Sequence, residues 1–168
     1  EKLMRKALAL QVELGPVFDI TCDCEDGARA GAEAEHAEMA ASVVLSDDNH
    51  FGRVGARIHD ITHPHWEQDV DILVSRAGHR LAFLTLPKPR SAADAARQIE
   101  SIRNAEERHG IEREIPVHVL IETHGALRDA WDIAALDRVE SLDFGLMDFV
   151  SGHHGAIPGS AMRRQGQL

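Results

Sequence analysis

Two spacings of apolar residues alternate along this chain, one typical of strands and the other typical of helices. Strand-like runs cover residues 17–25, 53–59, 81–86, 116–121 and 142–146. Helix-like segments, which carry apolar residues three and four apart or are rich in Ala and Glu, cover residues 2–14, 28–45, 66–76, 91–109 and 126–136. Strands that alternate in this way with helices predict an α/β domain with a parallel sheet.

Each of the five predicted strands ends in polar or charged residues. In chain order these are Asp23, Glu25 and Asp26, then Arg57 and His59, then Lys88, Glu122 and Asp148. In both main parallel α/β architectures, binding and catalytic residues lie at the carboxyl ends of the strands. The pattern therefore predicts a functional site at that edge of the sheet, although strand ends also become polar simply where loops meet water.

Two carboxylates stand out within this set. Glu122 directly follows the apolar run 116–121, and Asp148 lies just past the run 142–146. Two bare carboxylates held close together repel each other, and a divalent cation removes that conflict. Mg²⁺ is typically held by one or two carboxylates together with water and substrate oxygens. We therefore expect Glu122 and Asp148 to bind Mg²⁺ at the carboxyl edge of the sheet.

Composition narrows the class of protein. The chain has 168 residues, 43% of them hydrophobic and 4% aromatic, which suits one domain over residues 1–168 with an aliphatic core. A net charge of −10 argues against non-specific nucleic-acid binding. No apolar run is long enough for a transmembrane helix, and the first residues lack the layout of a signal peptide. We therefore expect a cytoplasmic protein without a membrane partner.

The cysteines and histidines give weaker signals. Cys22 and Cys24 share one face of a strand, where two reduced, packed thiols are more plausible than a disulfide or half of a zinc site. The histidines His59, His63, His65, His153 and His154 do not have the spacing of a closed tetrahedral site, and we interpret them as solvated loop residues. His118 shares a face with Glu122, so it is either a hydrogen-bond donor to the metal ligands or a hydrogen-bonded core residue.

Five short motifs, in order, resemble the HpcH/HpaI aldolase and citrate lyase beta-subunit family. They are Cys22-Asp23-Cys24-Glu25-Asp26-Gly27, Arg57-Ile58-His59, Leu86-Pro87-Lys88, Ile121-Glu122-Thr123 and Phe144-Gly145-x-x-Asp148. The family counterparts are Asp-Leu-Glu-Asp-Ala, Arg-Val-Asn, Pro-Lys, Ile-Glu-Thr and Phe-Gly-x-x-Asp. The likeness runs from about residue 2 to about residue 152, and it departs from the family pattern at His59, where Asn is usual.

The resemblance implies a (β/α)8 TIM barrel of the phosphoenolpyruvate/pyruvate type that binds Mg²⁺ and cleaves or forms carbon–carbon bonds. Such a barrel needs about 250 residues, so we expect about five β/α units here, corresponding to the second to sixth strands. Carried over by motif, Glu122 and Asp148 are the metal ligands, and Glu122 also contributes to substrate binding. Arg57 grips a carboxylate of the 2-oxo acid, and Glu25 and Asp26 lie near the metal's water and help move a proton.

Three functions follow from this resemblance. The first is a Mg²⁺-dependent lyase that cleaves a 3-hydroxyacyl thioester, such as a citryl or malyl thioester of coenzyme A or acyl carrier protein, into an acyl thioester and a 2-oxo acid. The second is a class II aldolase that releases pyruvate from a free 2-oxo-4-hydroxy acid. The third is a non-catalytic scaffold subunit of the same fold. The family also implies a homo-oligomer.

Three charged residues keep two interpretations each. Arg57 could instead form a salt bridge with Asp23 or Glu25, and Asp23 could either orient Arg57 or Lys88 or serve as a structural ion pair. Lys88 could form a Schiff base, but a metal site makes an imine unnecessary and an ion pair is the simpler expectation.

Overall fold

The computed structural model describes residues 2–27, 30–152 and 154–158. The strands are β1 (Ile20–Asp23), β2 (Val54–Arg57), β3 (Leu84–Leu86), β4 (Val117–Ile121) and β5 (Val139–Phe144). The helices are α1 (Lys2–Leu14), α2 (Glu33–Leu45), α3 (Trp66–Ala77), α4 (Ala92–His109), α5 (His124–Arg128), α6 (Ala130–Ala134) and α7 (Leu146–Ser151).

All five strands pair in parallel, and their order in the sheet is their order in the chain, β1-β2-β3-β4-β5. In a doubly wound sheet the order reverses at a switch point, and no reversal occurs among these described strands. Right-handed crossovers that always advance in one direction place every helix on the same face of the sheet. This is the arrangement of a barrel wall, and it confirms the expected five β/α units of a TIM-type barrel.

The core lies between the helix-facing side of the sheet and helices α2, α3 and α4. Val54, Ala56, Leu84, Val117 and Val119 are fully buried strand residues on or near this face. The other face of the same strands carries Asp23, Arg57 and Thr85. Because neighbouring residues of a strand point to opposite faces, apolar packing on the outside places polar side chains on the inside of the wall.

The first strand is shorter than predicted, for a reason that matters to the site. The run 17–25 was expected to be a strand throughout, but β1 ends at Asp23. The Asp23 carboxylate accepts hydrogen bonds from the backbone N–H groups of Glu25 at 3.0 Å and Gly27 at 2.8 Å, which turns the chain. Glu25 and Asp26 therefore lose the alternation of a strand, and both reach the same edge of the sheet.

The fifth strand begins earlier than predicted. We expected residues 142–146, whereas β5 spans Val139–Phe144, and Asp148 lies in the first turn of α7. A register shift at Val117/His118 leaves Glu140 unpaired, since Val117 pairs with Val139 and His118 pairs with Ser141. The extra residue of this bulge interrupts the polar–apolar alternation that the sequence pattern relied on.

Helix ends follow local capping chemistry. Ser91 caps α4, since its hydroxyl accepts the Asp94 N–H at 3.2 Å, and α4 ends at Gly110 in the left-handed region. The predicted helix 126–136 is instead two short helices that meet at Asp129. The helix predicted from residue 28 begins at Glu33, after Gly31 with its positive φ of 83°; residue 28 itself is outside the described ranges.

Two smaller predictions can be compared with the structure. Cys22 and Cys24 are free and fully buried, as expected for packed thiols. Within the described residues, no helix combines the length and the apolar character needed to span a membrane.

Candidate active site at the carboxyl edge of the sheet

An ion-pair network joins the ends of β1 and β2. Asp23 and Arg57 are paired neighbours in the sheet, and Arg57 donates from Nε and Nη2 to the two Asp23 oxygens at 2.8 and 2.7 Å. Arg57 Nη1 lies 2.9 Å from Glu25 Oε2. Burial opposes ionisation of Asp23, but the bonds from Arg57 outweigh it and lower the pKa of this carboxyl. The structure therefore contains the salt bridge between Arg57 and Asp23 that the second interpretation of these residues predicts.

Lys88 extends this network across the edge of the sheet. Its Nζ lies 2.9 Å from Glu25 Oε1, 3.2 Å from Asp26 Oδ2 and 3.4 Å from Asp148 Oδ2. The backbone of Lys88 has a positive φ of 49°, an uncommon conformation for a residue other than glycine. The Lys88 ammonium thus lies within ion-pair distance of three carboxylates from two distant segments. This supports the ion-pair interpretation of Lys88 rather than the Schiff-base one.

Glu122 is held in place by the turn that follows β4. The Thr123 hydroxyl donates to the Pro89 carbonyl at 2.6 Å and accepts the Ala126 N–H at 3.0 Å, so it caps α5 and ties it to the β3–α4 loop. A Cβ on Gly125 would lie 1.8 Å from the Arg90 carbonyl oxygen, so only glycine fits at this close approach. These contacts explain why the Glu-Thr-x-Gly sequence leaves the Glu122 side chain at a fixed position.

The Glu122 carboxylate is buried without a compensating cation. Glu122 is 7% exposed. Among the described residues its side chain accepts one hydrogen bond, from the Lys88 backbone N–H at 3.2 Å. No Lys or Arg of the described ranges forms an ion pair with it. Burial and then the charge of nearby Asp148 raise the pKa of Glu122 to about 7.

Gly145 makes room for this carboxylate at the end of β5. A Cβ on Gly145 would lie 2.2 Å from Glu122 Cγ and Oε1, which is sterically impossible without displacing the glutamate. Asp148 follows in the first turn of α7 and faces Lys88 Nζ. The structure therefore brings Glu122 and Asp148 to the same part of the edge, as the sequence predicted, although their metal-binding role stays a prediction.

These two carboxylates fit a divalent cation by their chemistry. Among residues 2–27, 30–152 and 154–158, no cluster of three or more His, Cys, Asp or Glu is arranged to hold an ion. Mg²⁺ accepts as few as one or two protein carboxylates when water and substrate complete its six oxygens. A buried, uncompensated Glu122 beside a second carboxylate is the donor set that such an ion stabilises.

A cavity of about 230 Å³ opens beside the network. Its lining includes Glu25, Asp26 and Lys88 of the network, together with His59 and His63. We interpreted His59 as a solvated loop residue, and this is wrong: it is 6% exposed, and its Nδ1 lies 2.6 Å from Asp69 Oδ2. Sequence reasoning missed Asp69 altogether, because nothing in the amphipathic pattern of α3 distinguishes an acidic residue that points inward.

His118 and His65 contact residues outside the ion-pair network. His118 stacks on Phe83 with ring centroids 3.9 Å apart and contacts Glu140 Oε2 at 3.2 Å, so it is the hydrogen-bonded residue and not a donor to Glu122. His65 Nδ1 lies 2.9 Å from Gln68 Oε1 in the first turn of α3. His153 lies outside the described residues.

The model of the HpcH/HpaI aldolase/citrate lyase family matches residues 17–156. The chain belongs to this family. All five motifs of the resemblance lie within the matched range. They supply the network and Glu122, and they supply part of the cavity lining.

Relatives agree with this membership. A citrate lyase of Burkholderia xenovorans is 56% identical with a TM-score of 0.91, over 99% of this chain and 52% of that chain. An L-malyl-CoA/beta-methylmalyl-CoA lyase of Cereibacter sphaeroides is 27% identical over 151 residues, which are 88% of this chain and 46% of that protein. The chain thus spans about half the length of these relatives.

A citrate lyase beta subunit of Mycobacterium tuberculosis, complexed with oxaloacetate and magnesium, is 20% identical with a TM-score of 0.66. The alignment covers 96% of this chain and 61% of that chain. At this identity the likeness concerns the fold.

Proposed function

We propose that the protein is a Mg²⁺-dependent carbon–carbon lyase. Its substrate is a 3-hydroxyacyl thioester of the citryl or malyl type, and its products are an acyl thioester and a 2-oxo acid. The observation that carries this proposal is Glu122, a buried carboxylate that no Lys or Arg of the described residues pairs with, placed beside Asp148 and across from the Arg57 network.

The family and its named members support the class of reaction. The relatives named above include a citrate lyase and a malyl-CoA lyase, and both reactions break the bond between a hydroxyl-bearing carbon and the carbon next to a thioester carbonyl. The Mycobacterium tuberculosis protein was solved with oxaloacetate and magnesium. Because that likeness concerns the fold, the Mg²⁺ proposal depends on the geometry of Glu122 and Asp148.

Bound Mg²⁺ would supply Lewis acidity and a template for the oxygens of a 2-oxo acid. Glu122 and Asp148 are the side chains that would hold it. Glu122 is placed by the Thr123 cap and by the space at Gly145 before any ion binds, so little reorganisation is needed. Lys88 stays close to Asp148 and offsets the negative charge of this edge when the substrate carboxylate arrives.

Arg57 is the proposed partner of that substrate carboxylate. A guanidinium has five N–H donors. Arg57 gives two of them, on Nε and Nη2, to Asp23, and its Nη1 lies within ion-pair distance of Glu25. The donors left over can bind a substrate carboxylate, and a pair of them can do so with two parallel bonds. Asp23 and Glu25 hold the guanidinium plane still, which is why its ion pairs and its proposed binding role are compatible.

Glu25 and Asp26 are the proposed acceptors of the substrate hydroxyl proton. Both line the cavity, and Glu25 is buried while the Asp26 side chain is 59% exposed. Burial raises the pKa of Glu25, against the lowering effect of Lys88 and Arg57. A buried carboxylate with a raised pKa takes up a proton more readily than an exposed one, and Asp26 is open to water for its release.

A second candidate is a class II aldolase that releases pyruvate from a free 2-oxo-4-hydroxy acid, because the matching family model covers aldolases as well. The two reactions share the 2-oxo acid and therefore the same Glu122, Asp148 and Arg57. They differ in the departing fragment, which is a thioester enolate in the first. A scaffold subunit is the third candidate, and it requires none of these charges.

The test is carried out on the full-length protein with Mg²⁺. Release of acyl thioester and 2-oxo acid is followed for citryl, malyl and methylmalyl thioesters of coenzyme A and of acyl carrier protein, and for free 2-oxo-4-hydroxy acids. We expect cleavage of at least one thioester, and heat of binding when oxalate is added as a mimic of the 2-oxo acid. Cleavage of only the free acids would favour the aldolase. No reaction, together with no heat of oxalate binding, would favour the scaffold subunit.

A further inference from the structure

A buried aspartate fixes one nitrogen of His59. Asp69 is fully buried in α3, and its Oδ2 accepts the His59 backbone N–H at 2.9 Å and lies 2.6 Å from His59 Nδ1. An ionised carboxylate can only accept, so Nδ1 carries the proton of this contact. The other nitrogen, Nε2, is then the one that can accept or donate a proton elsewhere, as in other aspartate–histidine pairs.

The arrangement is costly for a purely structural pair. Asp69 Oδ1 is buried without a hydrogen-bond partner in the described part of the chain, and such an oxygen lowers the free energy of unfolding. The burial of the carboxyl raises the pKa of Asp69. Local rules of polar satisfaction are broken most often at functional sites. Other buried side chains of the described residues, such as Gln98, also carry such atoms, so it is the position of the Asp69–His59 pair beside the cavity that distinguishes it.

The ring of His59 is held in a fixed plane. His63 stacks on it with ring centroids 3.9 Å apart and an interplanar angle of 12°. His59 also replaces the Asn that is usual at this point of the family motif. An imidazole, which can accept or donate a proton, thus stands where the family pattern has a neutral amide.

His59 opens onto the cavity that contains the proposed acids. Glu25, Asp26, Glu33, Asp60 and Lys88 line the same cavity. Lys88 Nζ is already within ion-pair distance of Glu25, Asp26 and Asp148. Within the described ranges no group hydrogen-bonds His59 Nε2, so this nitrogen stays available to a substrate.

We propose that His59 is a catalytic acid–base residue that exchanges a proton, through Nε2, with the carbon next to the thioester carbonyl. This inference depends on the proposed lyase function and deepens it. The substrate oxygens belong near Glu122, Asp148 and Arg57, so the departing acyl fragment belongs to the part of the cavity lined by His59.

The proton balance of cleavage is simple. The hydroxyl proton passes to Glu25 or Asp26, the carbon–carbon bond breaks, and its electron pair forms the thioester enolate while the oxygen becomes the oxo group. His59, protonated on both nitrogens, then gives its Nε2 proton to the enolate carbon, and the proton held by Glu25 or Asp26 returns to Nε2 through water. One proton leaves oxygen and one arrives at carbon, so no oxidant or reductant is required. In the condensation direction, neutral His59 removes the proton from the acyl thioester.

Hydrogen exchange isolates this step from bond cleavage. The full-length protein is incubated with Mg²⁺, oxalate and acetyl or propionyl coenzyme A in deuterium oxide, and deuterium at the α-carbon is measured by mass spectrometry. The main variant is His59→Asn, whose amide can still donate to Asp69 and which restores the family residue. His59→Gln, which keeps a polar end but no titratable nitrogen, is the second variant, and His65→Gln of the same loop is the matched control.

We expect exchange and thioester cleavage to fall by about 100-fold or more in both His59 variants, the usual effect of a lost acid–base group. Oxalate and Mg²⁺ affinity should stay within about twofold of the wild type, which separates this role from folding and metal binding, and His65→Gln should behave as wild type. Exchange at the wild-type rate in either His59 variant that still binds oxalate would overturn the inference while the lyase function stands. A wild-type protein that neither cleaves nor exchanges would overturn both.

Discussion

The two buried glutamates of the carboxyl edge, Glu25 and Glu122, are equally hidden from water but face different surroundings. Glu25 is 9% exposed and has two cations 2.9 Å away, Arg57 and Lys88. Glu122 is 7% exposed and has one backbone N–H at 3.2 Å. Burial raises the pKa of both, but two cations oppose the rise at Glu25, whereas Asp148 adds to it at Glu122.

The difference shows that this edge has two halves with different charge balance. On the β1–β2 side, Asp23, Glu25 and Asp26 each have a cation of the chain within ion-pair distance. On the β4–β5 side the chain brings Glu122 and Asp148 to one part of the edge, and no Lys or Arg of the described residues forms an ion pair with Glu122. A charge left uncompensated in a low-dielectric site costs stability unless a partner binds, and we expect that partner to be Mg²⁺.

The largest effect is expected from Glu122→Gln in the full-length protein. The substitution keeps the shape of the side chain but removes the charge that faces the ion. We expect the Kd for Mg²⁺, measured by calorimetry, to rise by about 100-fold or more, since even the partners of metal ligands change affinity by 10–100-fold. The activity that depends on the metal should fall with it.

Glu140→Gln is the matched control, because Glu140 is an exposed glutamate on the neighbouring strand that contacts His118. Its Mg²⁺ affinity should equal that of the wild type. Unchanged affinity in Glu122→Gln would mean that the uncompensated half of the edge does not bind the ion.

Gly145→Ala tests the same half without changing any charge. The backbone at Gly145 has a φ of −85°, which alanine adopts freely, but its Cβ would lie 2.2 Å from Glu122 Oε1. The glutamate must move, so we expect the Kd for Mg²⁺ to rise by about 30-fold, inside the range for a displaced ligand.

Gly152→Ala serves as the control for this helix region, since its Cβ would meet Asp148 O at 3.3 Å and no carboxylate. It should bind Mg²⁺ nearly as wild type does. Equal affinity in both alanine variants would contradict the placement of Glu122 against Gly145.

Lys88→Met should change Mg²⁺ affinity in the opposite direction. The Lys88 ammonium lies 3.4 Å from Asp148 Oδ2 and repels a second cation there. Its removal should tighten Mg²⁺ binding by about tenfold, which corresponds to ~1.4 kcal/mol, while it weakens the half of the edge around Glu25. Calorimetry measures the first effect and urea unfolding the second; weaker Mg²⁺ binding would show that Lys88 supports the ion instead of competing with it.

The last effect concerns the stability of the metal-free protein. The pKa of Glu122 is raised from 4.5 to about 7 on folding, so the folded state keeps a proton that the unfolded state loses between these values. The free energy of unfolding therefore falls as pH rises from 4.5 to 7, and below 4.5 the group contributes nothing. Glu122→Gln removes this loss.

In the presence of a chelator, we expect Glu122→Gln to be as stable as the wild type near pH 4 and more stable at pH 8 by on the order of 2 kcal/mol. Urea unfolding at a series of pH values measures this difference. A difference that does not vary with pH would show that the Glu122 carboxylate is not strained by its surroundings.

Much of this edge could be predicted before the structure was known, because strand periodicity places the residue after a buried strand at the edge of a sheet. Glu122 follows that rule directly, while Arg57 is the last residue of β2 and Lys88 lies two residues past β3. Asp148 reaches the same edge from the first turn of α7. The alternation failed where a local contact broke it. Asp23 bends the chain through its own carboxylate, and the extra residue Glu140 shifts β5.

Other features depended on contacts between distant segments. Asp69 lies ten residues after His59 on a helix, and no spacing rule links a residue of an amphipathic helix to the nitrogen it will meet. Likewise, no Lys or Arg of the described residues pairs with Glu122, because the Lys88 ammonium lies against Glu25, Asp26 and Asp148 instead.

By itself, the sequence determined the order of strands and helices, the edge that carries the charges and the family to which the chain belongs, because these depend on local periodicity and short motifs. Only the tertiary structure decided which carboxylate is neutralised, which is left without a cation, and which histidine is held by a buried acid. Those outcomes depend on distances of a few ångströms between residues far apart in the chain, and electrostatic energies change steeply over such distances.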